Sequence, residues 1–257
     1  MRTIKLTIEY DGTNYNGWQV QASQDSHHQK LTTIQGVIQE TLKKIFRKKM
    51  IVIGSGRTDS GVHALAQIAH FRTVSKMPIA RIKAALNGTL PPDIAVLKVE
   101  EVDPKFHAQY SAKAKTYRYT ILNRDVRSPI LRNTILLYPH KLNLTLMRRE
   151  AKFFVGKKNF KSFQATPDKR FPWKAKNTVR TIKRLEIKKK GDVITIDIEA
   201  NGFLHKMVRN IVGTLLEIGR GHLPAGSVQK ILSKKDRTVA PATAKPYGLT
   251  LLKVEYR

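Results

Sequence analysis

The feature that most limits the fold of this chain is the order of its periodicities. Apolar and polar residues alternate at 3–10 (TIKLTIEY), 51–55, 66–73 and 94–100, the period of half-buried strands. Helical spacing comes between them at 33–48 (TIQGVIQETLKKIFRK) and 79–87. The first half therefore runs strand, helix, strand, strand, helix, strand. The same order returns later, with a strand at 115–122, a helix at 144–155, strands at 179–188 and 192–200, a helix at 204–219 and a strand at 249–256. A further helical pattern covers 226–233. Each half reads as a split βαβ, ferredoxin-like unit. The expected class is α+β: two ferredoxin-like halves, their antiparallel sheets side by side and a basic central cleft between them. The expected halves are 1–105 and 106–257, with the boundary inside 103–113.

A chain of 257 residues that is 41% apolar and 26% charged has the composition of a folded protein. No window reaches 18 uninterrupted apolar residues, and the opening MRTIKLTIEYDG alternates like a strand, so neither a membrane span nor a secretion signal is expected. The absence of cysteine excludes disulfides, thiolate catalysis and zinc–thiolate sites, and fits a cytoplasmic protein. The 48 Lys and Arg exceed the 19 Asp and Glu by 29. A field of that strength most often meets a nucleic-acid backbone. A basic, solvated surface is the plainer account, since Lys43, Lys44, Lys48 and Lys49 lie on the outer side of a helical pattern or just past its end.

Within so basic a chain, GSGRTDSGVHA (54–64) keeps one carboxylate between glycines. Neighbouring cations favour its ionised form, which makes Asp59 a candidate nucleophile. The alternatives are weaker. A dinucleotide turn would need glycine where Asp59 stands, and a phosphate-binding loop would need Gly-Lys-Ser/Thr. A turn-capping Asp is the structural account. Arg57 is two residues before Asp59, so an extended backbone points both side chains the same way. His63 and His70 are seven apart on a strand-like segment and face opposite ways, which makes them poor co-ligands for a metal. Arg209 interrupts the apolar run MVRNIVG at the edge of a helical arc, where a buried guanidinium needs a partner.

Five segments, YDGTNYNGWQVQ (10–21), GRTDSGVHALAQ (56–67), KTYRY (115–119), NGFLHKMVRNIVG (201–213) and DRTVAPATAKPYGL (236–249), together resemble the tRNA pseudouridine synthase A family, TruA, in the family's order and over nearly the whole chain. The resemblance implies the pseudouridine synthase fold. It also implies isomerisation of uridine to pseudouridine at positions 38, 39 and 40 of the tRNA anticodon arm by a homodimer, with no metal and no organic cofactor.

Residue by residue, the resemblance makes Asp59 the catalytic carboxylate, paired with Arg209, and places Tyr117 against the target uracil, where its hydroxyl can handle the C5 proton. Arg57 contacts tRNA and helps hold the base out of the stack. Phe106, His107, Ala108, Gln109 and Tyr110, and Asp168, Lys169 and Arg170, match stretches that touch tRNA. Tyr119 and Leu249 read as core. Whether Asp59 adds to C1′, removes a neighbouring proton so that a glycal forms, or attacks C6 stays open. A non-catalytic tRNA-binding or chaperone module on the same fold is the rival reading, and it would not require Asp59.

Overall fold

The structure is a computed structural model in which residues 1–20, 32–165 and 177–256 are described. The chain forms two compact units, residues 1–113 with 250–257, and residues 114–249. No helix among the described residues is long and apolar enough to cross a membrane.

The first unit opens with strand β1 (Arg2–Tyr10). Its alternation buries Ile4, Leu6 and Ile8 completely on one face, as a period-two pattern requires. Helix α1 (Ile34–Phe46) starts where the Thr33 side chain accepts the Gly36 N–H and stops where Arg47 turns left-handed at φ 55°. Its Ile34, Ile38 and Leu42 are spaced by four and all lie in the core. Strands β2 (Ile53–Gly54) and β3 (His63–Thr73), helix α2 (Ile79–Asn87) and strand β4 (Ile94–Val102) follow. β1 pairs antiparallel with β3 on one side and with β4 on the other, and β2 adds to β3. This is the expected order of elements. β2 is shorter than its sequence pattern, and its last residue, Gly54, lies so close to Trp18 that a Cβ there would come within 2.5 Å of the ring.

The second unit opens with β5 (Ala114–Leu122), to which the short β6 (Leu136–Leu137) adds in parallel. Helix α3 (Leu144–Ala151) is capped by the Asn143 side chain and gives way to a 3-10 turn at Lys152–Phe154. Then come β7 (Gly156–Asn159), β8 (Val179–Lys190) and β9 (Val193–Ala200). Antiparallel pairing gives the order β5, β9, β8, β7. Helix α4 (Met207–Gly219) begins after Lys206, whose left-handed φ of 58° breaks the helical pattern three residues later than its sequence start. Helix α5 (Ser227–Lys234) follows. Phe154, Phe160 and Phe163 are fully buried against one another beneath these helices. At four residues or fewer, β6 and β7 are too short to show a period in the sequence.

The last strand, β10 (Leu249–Glu255), closes the second sequence pattern, and its residues Thr250 and Leu251 pair in parallel with His63 and Ala64 of β3. The Lys113 N–H also donates to the Glu255 carbonyl at 2.7 Å. β3 is thereby held between β1 and β10, and the turn just before it carries Asp59.

Candidate active site

The Asp59 turn runs from Gly54 to His63 and is pinned along its length. The Ser55 N–H donates to Ile68 O at 2.7 Å. Buried Gln67 accepts the Ser55 hydroxyl at 2.7 Å and donates to Gly56 O at 3.0 Å. Further on, Thr58 Oγ1 shares a 2.8 Å hydrogen bond with the Tyr10 hydroxyl, and Thr58 O accepts the Trp18 N–H at 3.1 Å. Burial pushes the Tyr10 phenol up to about 12, so it remains a neutral partner. The Val62 N–H closes the turn on Asp59 O at 3.1 Å, and the Ser60 hydroxyl and Gly61 N–H both reach Tyr15 O.

Shape reinforces this bonding. A Cβ at Gly12 would stand 2.1 Å from Val62 O, and one at Gly17, whose φ is +79°, would stand 2.4 Å from Thr58 O. Segment 10–18 therefore lies directly on the turn, at distances only glycine allows. Thr58 is buried between exposed Arg57 and half-buried Asp59.

Residues 106–110 of the same unit sit elsewhere on it, over β3. His70 is buried, and its Nδ1 accepts the Ala108 N–H at 3.2 Å, while Ala108 O accepts the Tyr256 hydroxyl at 2.8 Å. Ala108 is completely buried, and both its backbone groups are used internally. Phe106 packs on Tyr256 at 5.0 Å between ring centroids. His107 turns its Nδ1 to the N–H groups of Gln109 and Tyr110, and its ring stacks on Tyr110 at 4.2 Å. Tyr110 is 80% exposed, and Gln109 is exposed beside it. This presents a supported aromatic face to solvent.

In the second unit, Tyr117 is buried on β5 with its ring edge-to-face on Phe203 at 5.2 Å. Tyr119, on the same face of the strand, is fully buried and donates to Lys245 O at 2.8 Å. Burial raises the Tyr119 phenol, Tyr247 adds to the rise, and the Arg209 charge offsets part of it. Arg209 projects from α4, where its Nε donates to Ala244 O at 2.8 Å and its carbonyl accepts the Ala244 N–H at 3.2 Å. Leu249 is buried. Asp168, Lys169 and Arg170 lie outside the described residues.

Several supporting residues were not singled out by sequence reasoning. Gly12, Tyr15, Gly17 and Trp18 build the wall behind Asp59, and Phe203 backs Tyr117. Arg237, Thr243 and Asn210 hold the segment that meets Arg209. Their signal was present, because all lie in the quoted segments, but a motif shows that residues matter without showing which touch. Among the described residues no group of three His, Asp or Glu side chains is arranged to hold a metal.

Comparison with known proteins gives this geometry a family. A family model described as tRNA pseudouridine synthase matches residues 6–111 and 151–257. A tRNA pseudouridine synthase A from Thermoanaerobacter sp. (strain X514) is 43% identical over 256 residues, covering 100% of both chains. Relatives from Ruminiclostridium cellulolyticum, named tRNA pseudouridine synthase A, and Clostridium perfringens, named tRNA pseudouridine synthase A 2, are each 44% identical with the same full coverage. With a family match over most of its length and full-length relatives above 40% identity, the chain belongs to the tRNA pseudouridine synthase family.

Proposed function

We propose that this chain isomerises uridine to pseudouridine at positions 38, 39 and 40 of the tRNA anticodon arm, with Asp59 as the catalytic carboxylate. The observation that carries the reading is the Asp59 turn itself. It is a carboxylate on a backbone fastened to strand β3 and to segment 10–18, emerging beside exposed Arg57. Such fastening suits a group that must meet one atom of a substrate repeatedly.

The reaction breaks the bond between N1 and C1′, turns the freed uracil and joins C5 to C1′. The C5 proton leaves, and N1 ends protonated, so neither redox change nor hydrolysis is involved. A carboxylate serves each open route, by addition to C1′, by removal of a neighbouring proton or by attack on C6. Arg209 orients Asp59 through its planar two-donor fork. Tyr117 stacks on the uracil and handles the C5 proton. Arg57 holds the nucleotide out of its stack, since C1′ and C5 cannot be reached in a paired stem. The basic surface binds phosphates with little sequence information, while Tyr110, Gln109, His107 and Phe106 offer stacking and polar contacts to RNA. Ala108 shapes that stretch through its backbone, and Asp168, Lys169 and Arg170 add further contacts to tRNA. The enzyme works as a cytoplasmic homodimer with no metal or organic cofactor.

The test is incubation of purified protein with unmodified tRNA transcript in EDTA, followed by site-resolved detection of pseudouridine. Product at positions 38, 39 and 40 is expected, and its absence would sink the catalytic reading. Asp59→Asn keeps the shape and removes the charge. It should show no turnover while tRNA affinity stays near wild type, because phosphate contacts dominate binding. Multiple turnover by this variant would remove Asp59 from its role.

A further inference from the structure

One side chain in the second unit serves four acceptors. Arg237, half-buried in the 3-10 turn Arg237–Val239 after α5, donates from Nη1 to Ala240 O at 2.7 Å. Its Nη2 faces Asn210 Oδ1 at 3.2 Å, Pro241 O at 3.0 Å and Thr243 Oγ1 at 3.2 Å. Thr243 donates in turn to Asn210 Oδ1 at 2.7 Å, and fully buried Asn210 donates to Phe163 O at 2.7 Å. The segment so gathered lies flat on α4, since a Cβ at Gly213 would stand 2.2 Å from Ala242 O. The next residue, Ala244, exchanges both of its backbone groups with Arg209.

We propose that Arg237 is a positioning residue for the reaction: by fixing segment 240–243 on α4 it fixes Ala244, and Ala244 fixes the direction of the Arg209 guanidinium. The inference rests on the reading that Arg209 orients the catalytic carboxylate. Pro241 has no N–H and cannot tie the segment down by its own backbone, so the donors come from outside. Only a planar fork with several N–H groups reaches a carbonyl on one arm and three acceptors on the other, which explains arginine rather than lysine here. Loss of the fork frees the Ala244 carbonyl to move and lets the Arg209 side chain swing with it. The Arg209 charge is kept while its direction is lost.

The experiment measures single-turnover rate at saturating tRNA transcript, tRNA Kd and urea midpoint for Arg237→Met and Arg237→Lys, in wild-type and Arg209→Lys backgrounds. Arg237→Met should slow the reaction on the order of 10- to 100-fold through misplacement alone. Kd should stay within about 3-fold, and Arg237→Lys should recover part of the rate. In the Arg209→Lys background the same change should add less than about 3-fold, because the two residues act in series. Full additivity in that background, or a loss confined to Kd, overturns the proposal. Should Arg237→Met not fold, Thr243→Val removes one link of the chain with less damage, and the same non-additivity is required of it. The two readings fail differently. Wild-type rates in Arg209→Lys and Arg209→Met remove the role of Arg209 and this proposal with it, whereas a wild-type rate in Arg237→Met beside slow Arg209 variants removes Arg237 alone.

Discussion

The Asp59 turn and the segment that meets Arg209 are both held in place, with the weight on different means. Around Asp59 the constraint is close approach of backbone to backbone, with Gly12 and Gly17 lying where a single Cβ would strike Val62 O or Thr58 O. Around Arg209 backbone also meets backbone, at Gly213 against Ala242 O, but the distinctive constraint is a side-chain network, in which Arg237 collects the carbonyls of Ala240 and Pro241 and Thr243 donates to Asn210. A steric lock has no tolerance for added volume, because cores are close-packed and backbone cannot slide aside cheaply. A network of hydrogen bonds tolerates volume better and fails when donors are removed. The Asp59 turn should therefore answer added volume at Gly12 or Gly17, and the Arg209 segment should answer the loss of donors.

Adding one carbon is the strongest way to break that contrast. Gly12→Ala places its Cβ 2.1 Å from Val62 O and 2.7 Å from Val62 C, and neither is the end of a flexible side chain. The expected cost is about 3 kcal/mol or more, as for a severely overpacked site, with activity lost alongside the urea midpoint. Gly17→Ala adds a left-handed φ of +79° to a 2.4 Å approach and should behave alike. A wild-type midpoint and rate in Gly12→Ala would mean that the turn is not locked by shape.

The mirror experiment removes donors and leaves volume almost unchanged. Arg209→Lys keeps the charge but loses the Nε–H that reaches Ala244 O at 2.8 Å. A rate loss of about 100-fold is expected from misdirection, with tRNA affinity retained and the urea midpoint almost unmoved. A large fall in the midpoint would show that this side chain holds the fold rather than the chemistry.

The contrast also explains what was legible in the sequence. Periodicity reports which face of a backbone meets the core, so β1, α1, β3, α2 and β4 followed from alternation and four-residue spacing. Asp59 stood out because a lone carboxylate between glycines in a basic chain is chemically conspicuous. The pairing of β10 with β3 was not legible, because LTLLKVE states a strand and says nothing of its neighbour. Nor was the lock on the turn, since Gly12 and Gly17 show in sequence only that glycine stands there. The burial of Ala108 is a third case, because it depends on His70 and Tyr256, which are 38 and 148 residues away in sequence.

The smallest expected effect lies at a place in the first unit where a titratable side chain, not close packing, does the holding. His70 Nδ1 accepts the Ala108 N–H, and the ring meets those of Phe106 and His107 at steep angles. Burial chiefly, with the nearby His107 and Arg72, lowers its pKa from the ordinary 6.5 to about 4, against a smaller opposing contribution from Ile53. Between those values the unfolded chain binds the proton and the folded chain does not. Stability from this group is therefore complete above about pH 6.5, falls as pH drops toward 4 and changes no further below it, by about 1–3 kcal/mol in all. His70→Asn keeps an acceptor near the Nδ1 position and removes the titration. Urea midpoints for both proteins from pH 7.5 to 4 should therefore converge as pH falls, the variant losing less across that window while its rate at neutral pH changes little. Parallel curves would show that protonation of His70 leaves the hold on Ala108 intact.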